Sequence, residues 1–221
     1  MEGILVINKP RDFTSHDVVN VVRRRLKIKK VGHAGTLDPL ATGVLIILVG
    51  SATKLFKTFT DFDKVYEATL TLGAVTDTGD SYGRIIEKFS YEGVSLENVK
   101  SVFSSFIGKI SQVPPMVSAV KYKGKPLYKL ARRGIEVPRS PREITIHSLK
   151  LLSFSLPDIV FEVKCSKGTY VRTLGEDIAK GLNCGGCISS IKRISIGPFD
   201  IKKSISLEEV NESHLQLWKR P

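Results

Sequence analysis

Cysteine, tryptophan and negative charge are all scarce in this chain. Three cysteines in 221 residues are an odd number, which speaks against a disulfide framework and for a reducing compartment, the cytoplasm. Cys184 and Cys187 form a CxxC pair, but no second CxxC or HxxxH follows it. A structural zinc wants about four ligands, so no metal is expected and the thiols read as small, reduced side chains. No apolar stretch approaches the ~20 residues of a membrane span. Glu2 and Lys9 bracket an apolar stretch too short for a secretory signal. Neither GxGxxG nor GxxxxGK[ST] occurs, so nucleotide cofactors have no support. No low-complexity tract or short-period repeat is present.

The shortage of acidic residues has a positive counterpart. Thirty-four Lys+Arg against 22 Asp+Glu give a net charge of +12, which favours a polyanionic partner. Charge alone does not decide, because a basic face is often merely solvated. At 42% hydrophobic the chain can fill a core, as one large domain or two small ones.

Periodicity alternates between strand and helix. Ile4–Ile7 reads as a short buried strand. Thr14 or Ser15 then caps a helix with Val18, Val19, Val22 and Leu26 inward and Arg23, Arg24 and Arg25 largely outward. Tyr66, Ala68, Leu70 and Leu72 alternate with Glu67, Thr69 and Thr71 as on a half-buried strand. Ser95 caps a second helix. Ile159, Phe161, Val163 and Cys165 alternate again, and Val171, Leu174 and Ile178 share one helical face. This mixture implies an α+β fold with a mixed, mainly antiparallel central sheet flanked by helices, not a doubly wound parallel sheet.

Two segments carry chemistry. In residues 121–142, cations interleave with Tyr122 and Tyr128, which suits phosphate contacts plus packing against a base or sugar. A solvated basic helix is the alternative. The second segment, Gly32 to Gly43, places Asp38 among Gly, Thr and Pro directly ahead of the apolar run Val44–Val49, which Gly50 closes. Pro39 holds the Asp38 backbone in the extended region. A carboxylate in a rigid loop beside a buried strand is a candidate nucleophile or base, against the plainer reading of an Asp that caps a turn.

The words GHAGTLDPLATGVL resemble the signature of the TruB family of tRNA pseudouridine synthases, and other blocks agree in order. These are Asn8-Lys9-Pro10 with Thr14-Ser15-His16, Lys64–Ala68, Thr76-Asp77-Thr78-Gly79-Asp80, Pro114–Lys121 through Gly134–Arg139, and Ser166–Thr173. The resemblance implies the pseudouridine synthase fold with a basic, thumb-like insertion at 111–142 inside a catalytic domain spanning 1–205. Residues 206–221 would form a short helix, such as Leu207 to Leu217, and tail. Relatives usually continue into a small C-terminal RNA-binding domain, whereas only Ser204 to Pro221 follow the last core strand here, by natural absence or truncation.

By the same resemblance, the chain isomerises uridine-55 in the T-loop of tRNA to pseudouridine. The N1–C1′ bond breaks, the base rotates and rejoins through C5, with no cofactor. Asp38 is then the catalytic carboxylate, a nucleophile at sugar or base or a base at C2′. An ionised Asp in a pocket needs a cation within about 4–6 Å, and Arg172 is the family's partner for it. A cation in the first turn of a helix opposes the dipole, which itself argues for a specific partner. Tyr66 would stack against the flipped uracil, Ile191 pack beneath it and His33 fill the vacated space. Asp80 and Tyr170 would support or contact the base, while Lys9 and Pro10 shape the site. Lys121, Lys123, Lys125 and Arg132 would grip the RNA. The expected partner is the T-arm of tRNA, with no guide RNA, no membrane and a monomeric chain. The rival readings are a non-catalytic tRNA-binding or folding module, and a hydrolase on a nucleoside or sugar, for which no second carboxylate pairs with Asp38.

Overall fold

The structure is a computed structural model in which residues 2–218 are described. The described residues group into two compact units, 2–67 with 190–218, and 68–189.

In the first unit, β1 (Gly3–Lys9) lies antiparallel to β3 (Thr42–Val49) over its whole length, from Gly3↔Val49 to Lys9↔Gly43. Between them run α1 (Ser15–Leu26) and β2 (Val31–Ala34), which pairs antiparallel with the later half of β3. With partners along both edges, β3 is buried at every residue after Thr42, so its sequence is a continuous apolar run instead of an alternation. Thr14 caps α1 through a capping box with Asp17, and Val18, Val19, Val22 and Leu26 are buried. The short α2 (Phe56–Thr60) delivers Phe59 to a core that includes Ile4, Val6, Val44, Ile46 and Leu48.

Strand β4 (Lys64–Leu72) carries the chain into the second unit, burying Tyr66, Ala68, Leu70 and Leu72 as its alternation predicts. There β5 (Ala74–Thr76) and β6 (Ile85–Lys88) form a hairpin, and α3 (Leu96–Ser105) starts at a Ser95 capping box with Asn98. β7 (Gly108–Gln112) precedes a small excursion of β8 (Lys121–Tyr122), β9 (Lys125–Pro126) and α4 (Leu127–Ala131). The excursion leaves and returns at one antiparallel pair, Gln112↔Arg142, so it is an insertion into the turn between β7 and β10 (Arg142–Ser155). β11 (Asp158–Cys165) and α5 (Val171–Gly181) follow, and the strand order in this unit is β4-β11-β10-β7.

β12 (Gly186–Ile196) brings the chain back to the first unit, where it runs parallel to β3 at Lys192↔Thr42 and is followed by β13 (Phe199–Asp200). The architecture is α+β, a mixed and mainly antiparallel sheet flanked by helices, as the alternating periods imply.

The expected helix over Leu207–Leu217 is not formed. Its place holds one 3₁₀ turn, Glu212–His214, begun by the Asn211 side chain accepting from the Ser213 amide. The flanking backbone bonds go to β1 instead: Ile205 N donates to Val6 O, Gln216 N to Ile4 O, and Ile4 N to Gln216 O. Covering a sheet edge outweighs the weak helical period of the segment. The rest of the expected tail, residues 219–221, lies outside the described residues.

Candidate active site

Asp38 sits half-buried in the loop between β2 and β3, and that loop is fixed at every carbonyl from Gly35 to Pro39. Arg193 donates from Nη2 to Gly35 O at 3.0 Å and from Nη1 to Thr36 O at 3.5 Å. Ser15, the first residue of α1, accepts from Leu37 N at 2.9 Å and donates to Leu37 O at 3.1 Å. Asp38 O accepts from Ala41 N at 3.0 Å, and Pro39 O from Asp12 N at 2.9 Å. Lys9 Nζ also reaches Pro39 O at 3.3 Å, besides Pro10 O at 2.9 Å and Phe13 O at 2.5 Å. A loop bonded in this way presents its one carboxylate on a fixed backbone, which is what positioning for catalysis requires.

The surroundings of this loop are cationic. Lys9 is 0% and Arg193 1% exposed. Burial pulls the Lys9 ammonium down to about 8, against the opposing attraction of Asp38 and Asp12. The same unit brings Tyr66, 8% exposed, to the Arg193 guanidinium, which lies 6.0 Å from the ring centroid. Ile191 is buried two residues before Arg193 on the same face of β12. His33 lies on β2 with its pKa lowered, first by burial and then by Arg193 and His16. Its Nδ1 makes no hydrogen bond among the described residues.

The second unit assembles Asp80 and Arg172. Arg172 stands in the first turn of α5, 3% exposed. Its Nε lies 3.6 Å from Asp80 Oδ2, while Nη1 donates to Thr78 O at 2.6 Å and Nη2 to Val117 O at 2.8 Å. Asp80 Oδ1 in turn accepts from Thr78 Oγ1 at 2.8 Å and from Tyr82 N at 3.1 Å. Within its own unit the carboxylate that this first-turn arginine meets is Asp80, whereas the partner expected for it was Asp38. Tyr170, at the N-cap of α5, is clamped through its backbone by the buried Gln112 side chain, which accepts from Tyr170 N at 2.7 Å and donates to Tyr170 O at 3.1 Å.

The basic insertion has Lys121, Lys123, Lys125 and Arg132 exposed, with Leu127 and Leu130 buried beneath α4. Lys123 and Gly124 both take positive φ, 47° and 81°, and make the two-residue turn between β8 and β9. Lys123 lies over the Tyr122 ring and Arg132 over Tyr128, each 5.6 Å from the centroid. Cys184 and Cys187 are buried free thiols, both pushed up by that burial. Among the described residues no His/Cys/Asp/Glu cluster is arranged to hold a metal.

Residues 23–171 match the TruB family pseudouridylate synthase N-terminal domain. The tRNA pseudouridine synthase B of Geobacter sulfurreducens is 50% identical over 212 residues, covering 96% of this chain and 70% of that protein. That of Syntrophotalea carbinolica is 49% identical over 210 residues, covering 95% and 69%. The chain belongs to the TruB family of pseudouridylate synthases. It is thus an isomerase on the pseudouridine synthase fold. A solved Cbf5-Nop10-Gar1 complex shares that fold with a TM-score of 0.74 at 28% identity, covering 94% of this chain and 53% of that chain, so the chain spans about half of that structure's matched polypeptide.

Sequence reasoning passed over Arg193. The signal was present: on a strand with Cys187, Ile191 and Arg193 in one alternating set, Arg193 falls on the inward face while Lys192 falls outside. A buried arginine is rarely without a task.

Proposed function

We propose that this TruB-family chain converts uridine-55 in the T-loop of tRNA to pseudouridine, with Asp38 as the catalytic carboxylate. The observation that carries this reading is the Asp38 loop, whose backbone is bonded at each residue, with Arg193 and Lys9 among the donors and Arg193 itself over the Tyr66 ring, in a chain about 50% identical to tRNA pseudouridine synthase B. The target base sits inside the folded T-loop and must be extruded at a cost of a few kcal/mol. Tyr66 offers a ring for the extruded uracil to stack on, Ile191 an apolar floor, and His33 a polar plug for the space left behind. Arg172, fixed by Asp80 and two carbonyls, serves the same reaction as substrate-binding cation, with Tyr170 two residues before it. Asp38 acts on the sugar or base as the N1–C1′ bond breaks, and the uracil rejoins C1′ through C5.

The exposed cations of the insertion supply the phosphate contacts that a polyanionic substrate needs. Recognition runs directly through the T-arm, by a monomer without guide RNA. Incubation of the purified chain with a T-arm hairpin labelled with tritium at uridine C5 tests this. Tritium release, with pseudouridine mapped to the single T-loop position, is expected. Tight binding without release would instead make the chain a tRNA-binding or folding module.

A further inference from the structure

We propose that Arg193 is a positioning residue for both Asp38 and Tyr66, a strut whose guanidinium ties the two ends of the catalytic loop together and fixes the tyrosine ring. The inference rests on the reaction proposed above and adds a component to it.

Three observations converge. First, the bonds of the guanidinium span the loop. Nε donates to Val44 O at 2.7 Å at its exit, while Nη2 and Nη1 hold Gly35 O and Thr36 O at its entry. A planar fork holds three carbonyls in a fixed relation, which the single point charge of a lysine does not reproduce. Second, Gly43 at the start of β3 leaves no room for a side chain beside this residue. At Gly43, with φ +97°, a Cβ would fall 2.8 Å from Arg193 N and closer still to Arg193 O. At Gly35, with φ +84°, the guanidinium lies at ordinary contact distance, 3.5 Å from where a Cβ would be. Third, the far side of the same guanidinium faces Tyr66 at 6.0 Å, within the range of a cation–π contact.

The three hydrogen bonds of Arg193 all end on backbone carbonyls, so its charge is felt by its neighbours. It lowers the pKa of both Lys9 and His33. That influence gives a readout which loss of packing alone does not move.

Arg193→Lys keeps the charge and loses the fork, whereas Arg193→Met loses both. The test measures T-arm RNA affinity, single-turnover rate at saturating enzyme, and the His33 titration by NMR. Affinity is expected to stay within about threefold, because no phosphate contact is touched. The rate is expected to fall about 100-fold in Arg193→Lys, the scale of a misplaced reacting group, and further in Arg193→Met. The His33 pKa is expected to rise in the Met variant and to stay in the Lys variant. If Arg193→Met does not fold, Arg193→Lys carries the test by itself, with a rate loss at unchanged affinity expected. A rate within about threefold of wild type in Arg193→Lys, or rate and affinity falling together, overturns the inference. A wild-type chain that binds T-arm RNA and releases no tritium overturns the reaction, a result distinguishable from the first.

Discussion

Arg172 and Asp80 form a nearly dry ion pair, Nε to Oδ2 at 3.6 Å with side chains 4% and 9% exposed. The pair reconciles two facts that conflict locally. A cation in the first turn of α5 opposes the helix dipole, and a buried charge without a partner costs several kcal/mol. Asp80 answers both, and it is itself held by Thr78 and Tyr82.

Breaking this pair from one side should be expensive. Asp80→Asn leaves the Arg172 charge buried, and a loss of about 3–5 kcal/mol is expected, read as a lower urea midpoint. Thr78 and Val117 still hold the two Nη atoms, so Arg172→Lys, which loses that fork, should also reduce single-turnover rate. Equal stability of Asp80→Asn and wild type would show that the contact carries no energy.

Asp38→Asn preserves size and backbone bonds while removing the charge and the nucleophile. Tritium release should fall below detection and T-arm affinity should hold within a few-fold. Turnover at even a few per cent of wild type would remove Asp38 from the chemistry.

Much of the fold was legible because its signals are local. The capping boxes at Thr14 and Ser95, the alternation of β4 and β11, and the apolar face of α5 follow from residues near one another in the chain. What was not legible depends on partners far away in sequence. The segment Leu207–Leu217 has a helix-like spacing, and only the edge of β1 draws it into extended pairing at Ile4↔Gln216. In the site, the Gly-rich words around Asp38 marked a rigid loop, but they did not show that the rigidity comes from Ser15, Lys9 and Arg193. Arg193 lies more than 150 residues from Gly35, |i−j| = 158, and its neighbours in sequence say nothing of what it holds.

Gly43 offers a stability test of that close approach. Gly43→Ala adds a Cβ at φ +97° against the Arg193 backbone, whereas Gly124→Ala adds one at φ +81° with nothing within 4 Å. The open site should lose only the backbone cost, about 1–2 kcal/mol. Gly43→Ala should lose clearly more, by chemical denaturation of the two variants side by side. Equal losses would mean that the loop relaxes around the methyl group.

Lys9 gives the stability a pH dependence of defined sign. Burial holds its folded-state pKa at about 8 against an ordinary 10.5. Below about pH 8 the ammonium is charged in both states and its burial penalty is constant. Between about 8 and 10.5 the unfolded chain binds more protons than the folded one, so this group makes stability rise with pH. Lys9→Met should remove that rise, seen as a flatter difference curve of unfolding free energy across this window. Parallel curves for wild type and variant would mean that Lys9 titrates at its ordinary value.

The insertion yields the last test. Lys121, Lys123, Lys125 and Arg132 are exposed, they flank Tyr122 and Tyr128, and the excursion that bears them is rooted at one strand pair and at the Arg172–Val117 bond. If these cations meet phosphates, each contact releases about 0.9 counterion on duplex RNA-like charge density or about 0.7 on single strands. Replacing all four with Gln should therefore flatten the slope of log K against log salt by roughly three units and weaken T-arm binding strongly at low salt. Single-turnover chemistry at saturating enzyme should change far less, because phosphate contacts supply affinity and saturating enzyme makes up for its loss. Salt titrations of wild type and the quadruple variant decide it. Coincident slopes would make the segment a solvated basic surface, and a collapse of the saturated rate would place it in the chemistry instead of the grip.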